Sequence, residues 1–453
     1  MKSWHISWAL GIILFLPPLL NAQQLTAPAS PPFTFTKVDT ELLEQSNWAD
    51  REFQDKGRVY DDRETTEYVT AVGQAVLPEG TKPEGVHWRF FVLRDPQPNA
   101  FALPNGSIYV HTGLLALLEN EAQLAAVLAH EEAHVLNRHG YLENRSLRKK
   151  TATANVLWSV ASSIAQNERG KVGAGAILVY GGLVCIVNST VNGYSRELER
   201  EADLQAVHAI VDADYSPEEM VNLFRVLLRS HEAEAAEDFY QDHPKLHERI
   251  AYVRDLANSL RPWSAHPKVE ADRYLLESKS AIRHDMDLEI SSGRVRTAVW
   301  VMEHVIERDN KLADNFYELG EAYRGLGPHP PEPTPEELSR RCKTVECKKM
   351  SRISQEQYEE ALLKTPEGHA AWKANQEKSE TAYQKAIELS PDYAAPHRGL
   401  GFLYERAHQA KLSAREFRQY LELAPTALDT AQIKQHIGVM EEAASASPSS
   451  VSN

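Results

Sequence analysis

The sequence predicts a mainly α-helical protein in which an α+β domain with a small sheet precedes an all-α segment. Between about residues 38 and 260 the apolar residues recur mostly with helical spacing. Two stretches there, residues 86–92 and 107–111, instead have the composition and alternation of β-strands. Beyond about residue 265 the pattern is helical throughout and contains an internal repeat. A chain of 453 residues is long enough for each of these units to have its own core.

The first 22 residues have the pattern of a secretory signal peptide. Lys2 supplies a positive start, residues 8–16 form a short apolar core, and residues 20–22 form a small-residue cleavage site. The apolar core is short for a membrane span, although an uncleaved anchor remains the alternative. We therefore expect a protein that is secreted across the inner membrane.

Two further segments have compositions that do not support a packed core. Residues 23–37 form a leader rich in Pro, Ser and Thr, which we expect to be flexible. Residues 442–453 form a tail rich in Ala and Ser, which we expect to be disordered. Neither segment is expected to carry chemistry.

Charge and cysteine content exclude two classes of function. The formal net charge is −15 and no basic block offsets it, so the chain is not expected to bind nucleic acid. Three cysteines are too few for a disulfide scaffold, and their spacing matches no four-cysteine metal site. Cys342 and Cys347 can pair in an oxidising compartment, whereas Cys185 lies in an apolar run and is expected to be a buried hydrophobe.

Residues 124–140 have the pattern of one amphipathic helix. Asn120 and Gln123 predict the start of this helix through a capping box, and Gly140 predicts its end.

Two histidines on this helix form a candidate metal site. Residues four apart lie on the same face of a helix, so His130 and His134 can present two imidazoles to one ion. Glu131 follows the first histidine directly, whereas Glu132 is expected to point about 100° further around the helix. Because the chain has 18 histidines, the spacing alone is suggestive and a third ligand is needed.

Residues 194–210 offer that ligand. The apolar residues of this segment are spaced as one buried helix face, and Glu199 and Asp203 lie next to that face, four residues apart. A glutamate completes a set of two histidines and one carboxylate, which leaves the open fourth position that catalytic zinc requires. Asp203 would accept the second ring N–H of a ligand histidine and fix its orientation. The alternative is that both acidic residues lie on the solvated face of a charged helix.

Three motifs taken together resemble one family of zinc metallopeptidases. Residues 99–115 (NAFALPNGSIYVHTGLL), residues 124–140 (LAAVLAHEEAHVLNRHG) and residues 195–203 (SRELEREAD) resemble, in this order, the family that contains HtpX, the CAAX prenyl endopeptidases and the periplasmic BepA-type proteases. The resemblance covers about residues 38–262, half of the chain. It implies an α+β protease domain and an endopeptidase that acts on other proteins. If the source is a Gram-negative bacterium, it also implies a periplasmic location and a role in the quality control of outer-membrane proteins.

The resemblance assigns roles residue by residue. It implies that His130, His134 and Glu199 bind one Zn²⁺ per chain, that Glu131 is the catalytic base, and that Asp203 supports a ligand. A purely structural zinc would need neither Glu131 nor an open coordination position.

A fourth segment, residues 241–250, resembles the family's His-Pro and Arg-Ile element. By this resemblance His243 reaches the metal, either as a resting ligand or as a donor to the transition state, and Arg249 pairs with a carboxylate near the site. The alternative is that His243 is a loop residue. We expect the following histidines to be structural or exposed: His111, His139, His208 and His247.

Two more segments of the first domain bear on substrate access. Residues 107–111 could present an exposed strand edge to an extended substrate, and the alternative is a strand that only supports the core. Residues 153–195 contain two apolar runs, both shorter than the ~20 residues of a spanning helix. We expect close-packed helices or a flap over the active site, and contact with a membrane surface is compatible with either.

The segment 265–441 resembles tetratricopeptide repeats, which are pairs of antiparallel helices that stack into a solenoid. Pro391 and Pro425 are 34 residues apart in two similar stretches, and residues 319–320 and 400–401 are both Leu-Gly. A Pro-rich insertion at about 328–377 separates the units. The alternative is a generic helical bundle.

Two classes of function remain at this point. The first is a secreted zinc endopeptidase whose repeats recruit protein substrates or a partner protein. The second is a repeat-based chaperone or scaffold in which the metal site is idle or regulatory. The complete ligand set with a base favours the enzyme.

Overall fold

The computed structural model describes residues 33–81, 83–150, 194–232, 246–261, 263–330 and 355–446. The predicted signal peptide, nearly all of the apolar runs of 153–195, His243 and the three cysteines lie outside the described residues.

A small three-stranded sheet follows the first two helices, α1 (Lys37–Asp55) and α2 (Arg63–Val76). Its strands are β1 (Arg89–Leu93), β2 (Ala100–Ala102) and β3 (Ser107–His111). The order is β1-β3-β2, in which β1 is parallel to β3 and β2 is antiparallel to it. The strand predicted at 107–111 is confirmed, and the one predicted at 86–92 is observed three residues later at its start, at 89–93, but the short strand β2 was not predicted.

The position of β3 corrects one expectation about substrate access. Every residue of β3 is buried, and the strand lies between the other two. Residues 107–111 therefore offer no free edge, and the expectation that an extended substrate pairs with them was wrong. In the described part of the chain, β2 is the edge strand on that side of the sheet.

The helix that carries the two histidines lies deep in the core of the domain. After α3 (Thr112–Leu117) it runs as α4 (Glu121–Leu136), and nearly all its side chains are buried. The Asn120 side chain accepts a hydrogen bond from the Gln123 N–H at 2.9 Å, which confirms the predicted cap.

The end of α4 differs from the expectation. The helix stops at Leu136, because Arg138 has a left-handed backbone conformation with φ of 59°, and α5 (His139–Lys150) begins directly afterwards. Gly140 therefore lies inside α5 instead of ending α4.

Three further helices complete the first domain: α6 (Arg196–Asp212), α7 (Glu218–Glu232) and α8 (Leu246–Ser259). Helix α4 packs against both α6 and α7, and α8 packs against the same two helices. This packing brings segments of α4, α6 and α8 that are far apart in the sequence to one place.

The C-terminal half is all-helical in the ranges that the structure describes, as predicted. Its elements are α9 (Ala271–Ser291), α10 (Val295–Arg308), α11 (Ala313–Leu326), α12 (Gln355–Leu363), α13 (Pro366–Leu389), α14 (Ala394–Arg406), α15 (Ala410–Leu423) and α16 (Thr430–Ala446). The hydrophobic core of the first domain continues through α9, α10 and α11. The Tyr274 side chain of α9, for example, is fully buried and donates a hydrogen bond to the carbonyl of Leu115 at 2.5 Å.

The predicted mainly α fold with a small sheet is therefore confirmed. Within the ranges that the structure describes, no helix combines the length and apolar composition needed to cross a membrane.

Candidate active site

Three buried side chains converge where α4 meets α6. The Nε2 atoms of His130 and His134 are 3.0 Å apart. Each lies 3.5 Å from a different oxygen of Glu199. All three side chains belong to one group of donor atoms that lie within 4.8 Å of one another. The structure thus brings together the three residues predicted as metal ligands.

The donor set fits a zinc ion. Ligand atoms at about 2.0–2.1 Å from a tetrahedral zinc lie about 3.4 Å from one another, close to the separations seen here. His130 Nδ1 lies 2.9 Å from Asp203 Oδ1, so the single proton of the neutral ring sits on that side and Nε2 can bind a metal ion. Acceptor atoms at this spacing repel unless a cation lies between them. Burial lowers the pKa of His130, but hydrogen bonds to Asp203 and Glu199 raise it to about 10, because these carboxylates favour a positive charge there, which either a second ring proton or a metal ion on Nε2 supplies.

Asp203 is the anchor of a buried polar network behind the ligands. Its side chain is fully buried and accepts two hydrogen bonds from Arg249, at 2.8 Å and 2.6 Å, and one from the Tyr252 hydroxyl. Arg249 also lies 3.5 Å from Glu199. Burial raises the pKa of Asp203, but Arg249 and His130 outweigh it and hold that pKa below its ordinary value. The predicted pairing of Arg249 with a carboxylate near the site is confirmed.

Glu131 and Glu132 differ in their surroundings although both are buried. Burial raises the pKa of Glu131 to about 7, and a backbone hydrogen bond from Ala102 in β2 acts in the opposite direction. A carboxylate whose pKa lies near neutrality suits proton transfer. Burial also raises the pKa of Glu132 well above its ordinary value, and no described residue donates a hydrogen bond to either of its oxygens. Only Glu131 lies where β2 and α4 meet at the site.

Comparison with known proteins agrees with this geometry. Residues 63–257 match the family model of peptidase family M48. The chain carries a peptidase family M48 domain. The matched span runs from α2 to α8, so it includes the sheet and every residue of the site described above.

Curated relatives of the M48 domain have protease names. A "beta-barrel assembly-enhancing protease" of Yersinia pestis is 25% identical over 213 residues, which are 46% of this chain and 42% of the relative. A "mitochondrial metalloendopeptidase OMA1" of Schizosaccharomyces pombe is 30% identical over 192 residues, 42% of this chain and 52% of the relative. A "protease HtpX homolog" of Limosilactobacillus fermentum is 30% identical over 152 residues, 31% of this chain and 50% of the relative. The chain thus spans about half the length of these relatives.

Three residues of the M48 site were not predicted. His139 Nδ1 lies 2.9 Å from His134 Nδ1, the Tyr194 ring stacks on His134 with centroids 4.0 Å apart, and Tyr252 contacts Asp203. His139 is buried, as a structural histidine would be, but its contact with a candidate ligand was missed. It is five residues after His134, which is not a same-face spacing on a helix. The left-handed turn at Arg138 places the His139 ring against the His134 ring.

The other histidines set aside in the sequence lie away from the ligands. His111 is buried at the end of β3, where its Nδ1 is 3.0 Å from the carbonyl of Gln97, and His208 and His247 are exposed. His243, predicted to reach the metal, is outside the described residues.

Proposed function

We propose that this protein is a zinc-dependent endopeptidase that binds one zinc ion per chain through His130, His134 and Glu199. The observation that carries the proposal is the convergence of two imidazole nitrogens and a carboxylate, with separations of 3.0 Å and 3.5 Å, inside the M48 domain. A buried Glu131 beside them supplies the base that a purely structural site would not need.

The residues around the ligands have distinct roles in this proposal. Bound zinc supplies Lewis acidity toward water and toward the scissile carbonyl. Glu131 accepts a proton from the attacking water and later delivers it to the leaving amine. Asp203 holds the ring of His130 in one tautomer, and Arg249 and Tyr252 hold Asp203. His243 contacts the site either as a resting ligand or as a donor to the transition state.

The wider setting is also a proposal. The names of the beta-barrel assembly-enhancing proteases support a role on envelope proteins that are misfolded or unassembled. The N-terminal pattern supports secretion, to the periplasm in a Gram-negative source. Contact with a membrane surface through residues 153–195 remains part of the proposal.

We further propose that the C-terminal helices are tetratricopeptide-like repeats that recruit substrate or a partner protein. Ser379 and Ser413 are 34 residues apart, and each donates a hydrogen bond to the carbonyl of a glycine, Gly320 at 2.8 Å and Gly401 at 2.9 Å. The aromatic rings of Tyr383 and Phe417, also 34 residues apart, occupy the space beside the same two glycines. Equivalent contacts at the spacing of the sequence repeat support stacked, related units.

The zinc content of purified protein tests this function. We expect about one zinc per chain, and a marked loss in His134→Ala and in Glu199→Gln. Matched controls are His208→Ala and Glu197→Gln, because both residues are exposed on α6, the helix that carries Glu199. Full zinc content in the two ligand variants would refute the assignment. A protein that binds zinc but cleaves no peptide would favour the alternative of a repeat-based chaperone or scaffold with an idle or regulatory metal site.

A further inference from the structure

A small apolar cavity adjoins the candidate ligands on one side. Its volume is about 20 Å³. Its rim carries His130, Glu131 and Arg249, and Ala100 of β2 also lines it. Its walls are otherwise apolar and come from α4 and α7: Ala126, Val127, Met220, Leu223, Phe224 and Leu227.

Strand β2 presents its outer edge beside this cavity. Backbone hydrogen bonds pair Leu103 with Ser107 and His111 with Asn99. In an antiparallel ladder, hydrogen-bonded pairs alternate with pairs that are not hydrogen-bonded, so Phe101 and Tyr109 form the hydrogen-bonded pair between these two. The N–H and C=O groups of the two residues between them, Ala100 and Ala102, therefore point away from β3. Ala100 and Glu131 line the same cavity, so this edge faces the site.

An extended substrate can add to this edge as a further strand. Antiparallel pairing is the commoner arrangement and is slightly more stable per residue. A substrate residue opposite Ala100 sends its side chain to the same face as the Ala100 side chain, which is the face of the cavity. Because β2 runs from Ala100 to Ala102, an antiparallel substrate places its C-terminal part near Ala100.

The chemistry of the leaving group independently predicts the same orientation of the substrate along β2. Under the proposed function, on which this inference rests, Glu131 delivers a proton to the leaving amine. That amine belongs to the residue that follows the scissile bond, so its side chain must be close to Glu131. Glu131 lines the cavity, whereas His134 instead lines a separate cavity of about 10 Å³ beside Ala102 and Tyr194.

We propose that the cavity is the specificity pocket for the residue that follows the scissile bond, and that it selects a small aliphatic side chain such as Ala or Val. A cavity of this size holds about one water molecule or a small alkyl group. Larger side chains must displace the packed side chains of α7. Charged side chains are disfavoured because the walls from α4 and α7 are apolar and Arg249 already donates two hydrogen bonds to Asp203.

Met220 and Leu223 set the size limit in this proposal. Both side chains are buried on α7, and truncating either one enlarges the cavity without touching a candidate ligand. Val226 is the matched control, since it is a fully buried residue of the same helix that does not line the cavity. Val226→Ala removes core packing at a comparable depth, so it separates loss of stability from change of pocket shape.

The test uses the full-length chain and a series of fluorogenic peptides that differ only after the scissile bond, as Ala, Val, Leu, Phe, Asp or Lys. We expect kcat/KM for Ala and Val to exceed that for Phe, Asp and Lys by roughly 10- to 200-fold. Met220→Ala should raise the Phe-to-Ala ratio at least about tenfold, and Val226→Ala should leave the ratio unchanged. A parental preference for Phe or for a charged residue, or an unchanged ratio in both Met220→Ala and Leu223→Ala, would overturn the proposal.

Binding separates this inference from the function on which it rests. The same peptides are titrated against Glu131→Gln. The Kd values should be lower for the Ala and Val peptides than for the Phe, Asp and Lys peptides. If that order holds but no chain cleaves any peptide, the protease function fails, whereas the cavity still selects small aliphatic side chains as a binding pocket. If all six peptides bind equally, the pocket assignment fails whether or not cleavage occurs.

Discussion

Replacing Asp203 with asparagine should weaken both the metal site and the fold, because one carboxylate serves both. Asp203→Asn keeps the size of the side chain but removes its charge. Arg249 is 4% exposed, and after the change its remaining anionic neighbour is Glu199 at 3.5 Å. His130 also loses the charged acceptor that lies 2.9 Å from its Nδ1.

The magnitude follows from these contacts. Breaking a buried ion pair by removing one partner typically costs about 3–5 kcal/mol. For a domain of about 200 residues that corresponds to a fall in Tm of roughly 6–20 °C. Loss of the residue that orients a ligand histidine typically weakens metal binding about 10- to 100-fold. We therefore expect a lower Tm in Asp203→Asn even after chelator treatment, and weaker zinc binding in addition.

Thermal denaturation with and without chelator, and competition with a chromophoric zinc chelator, measure the two effects separately. Tyr252→Phe is the graded control, because it removes one hydrogen bond to Asp203 and leaves the carboxylate, His130 and Arg249 in place. Its cost should be only about 0.5–1.5 kcal/mol. If Asp203→Asn melts and binds zinc like the parent, the reasoning that Asp203 anchors the site is refuted.

Three further predictions concern the rest of the chain. Gly401→Ala places a Cβ 2.4 Å from the Phe417 ring, so we expect about 1–3 kcal/mol of destabilisation by thermal melting while cleavage of a short peptide persists. A chain that ends at residue 264 lacks three helices that share the core of the M48 domain, so it should lose peptide cleavage through unfolding, whereas one that ends at residue 330 should retain it. Burial raises the folded-state pKa of Glu318 from 4.5 to about 8, so stability should fall as the pH rises from about 4.5 to 8, and Glu318→Gln should reduce that fall in Tm.

Each of these predictions has a contradicting outcome. Gly438→Ala is the control for the glycine variant because nothing lies within 4 Å of the added Cβ, and equal stability of the two variants would contradict the packing argument. Full activity in the chain that ends at residue 264 would show that the first domain folds without α9, α10 and α11. An identical dependence of Tm on pH in Glu318→Gln and the parent would show that another group causes it.

Local periodicity was sufficient for the helices and for placing the two histidines on one face, but the family resemblance was needed to select the complete ligand set. His130 and His134 share a face through their spacing of four, and a helix of sixteen residues keeps that geometry whatever surrounds it. The position of Glu199 and Asp203 beside an apolar helix face made them candidates, the family resemblance selected them over a solvated face, and the structure buries both. The fold class followed from the same periodicity, and β3 from alternation over five residues.

Contacts that depend on tertiary packing were not predictable in the same way. Strand β2 has only three residues, too few for an alternation signal, and its role as the edge depends on the order of the strands. His139 reaches His134 only because Arg138 adopts a left-handed conformation that no sequence periodicity indicates. The pairing of Arg249 with Asp203 spans 46 residues, and only the family resemblance pointed to it.

The central claim is that Glu131 transfers protons at the zinc site without being a ligand of the zinc ion. Glu131→Gln keeps the side-chain size and the helix, so zinc content should stay at the parental level while peptide cleavage falls by at least ~10². Zinc content and cleavage rate are to be measured on the same preparation, with Glu197→Gln as the exposed control. Zinc retained with cleavage unchanged would contradict the account.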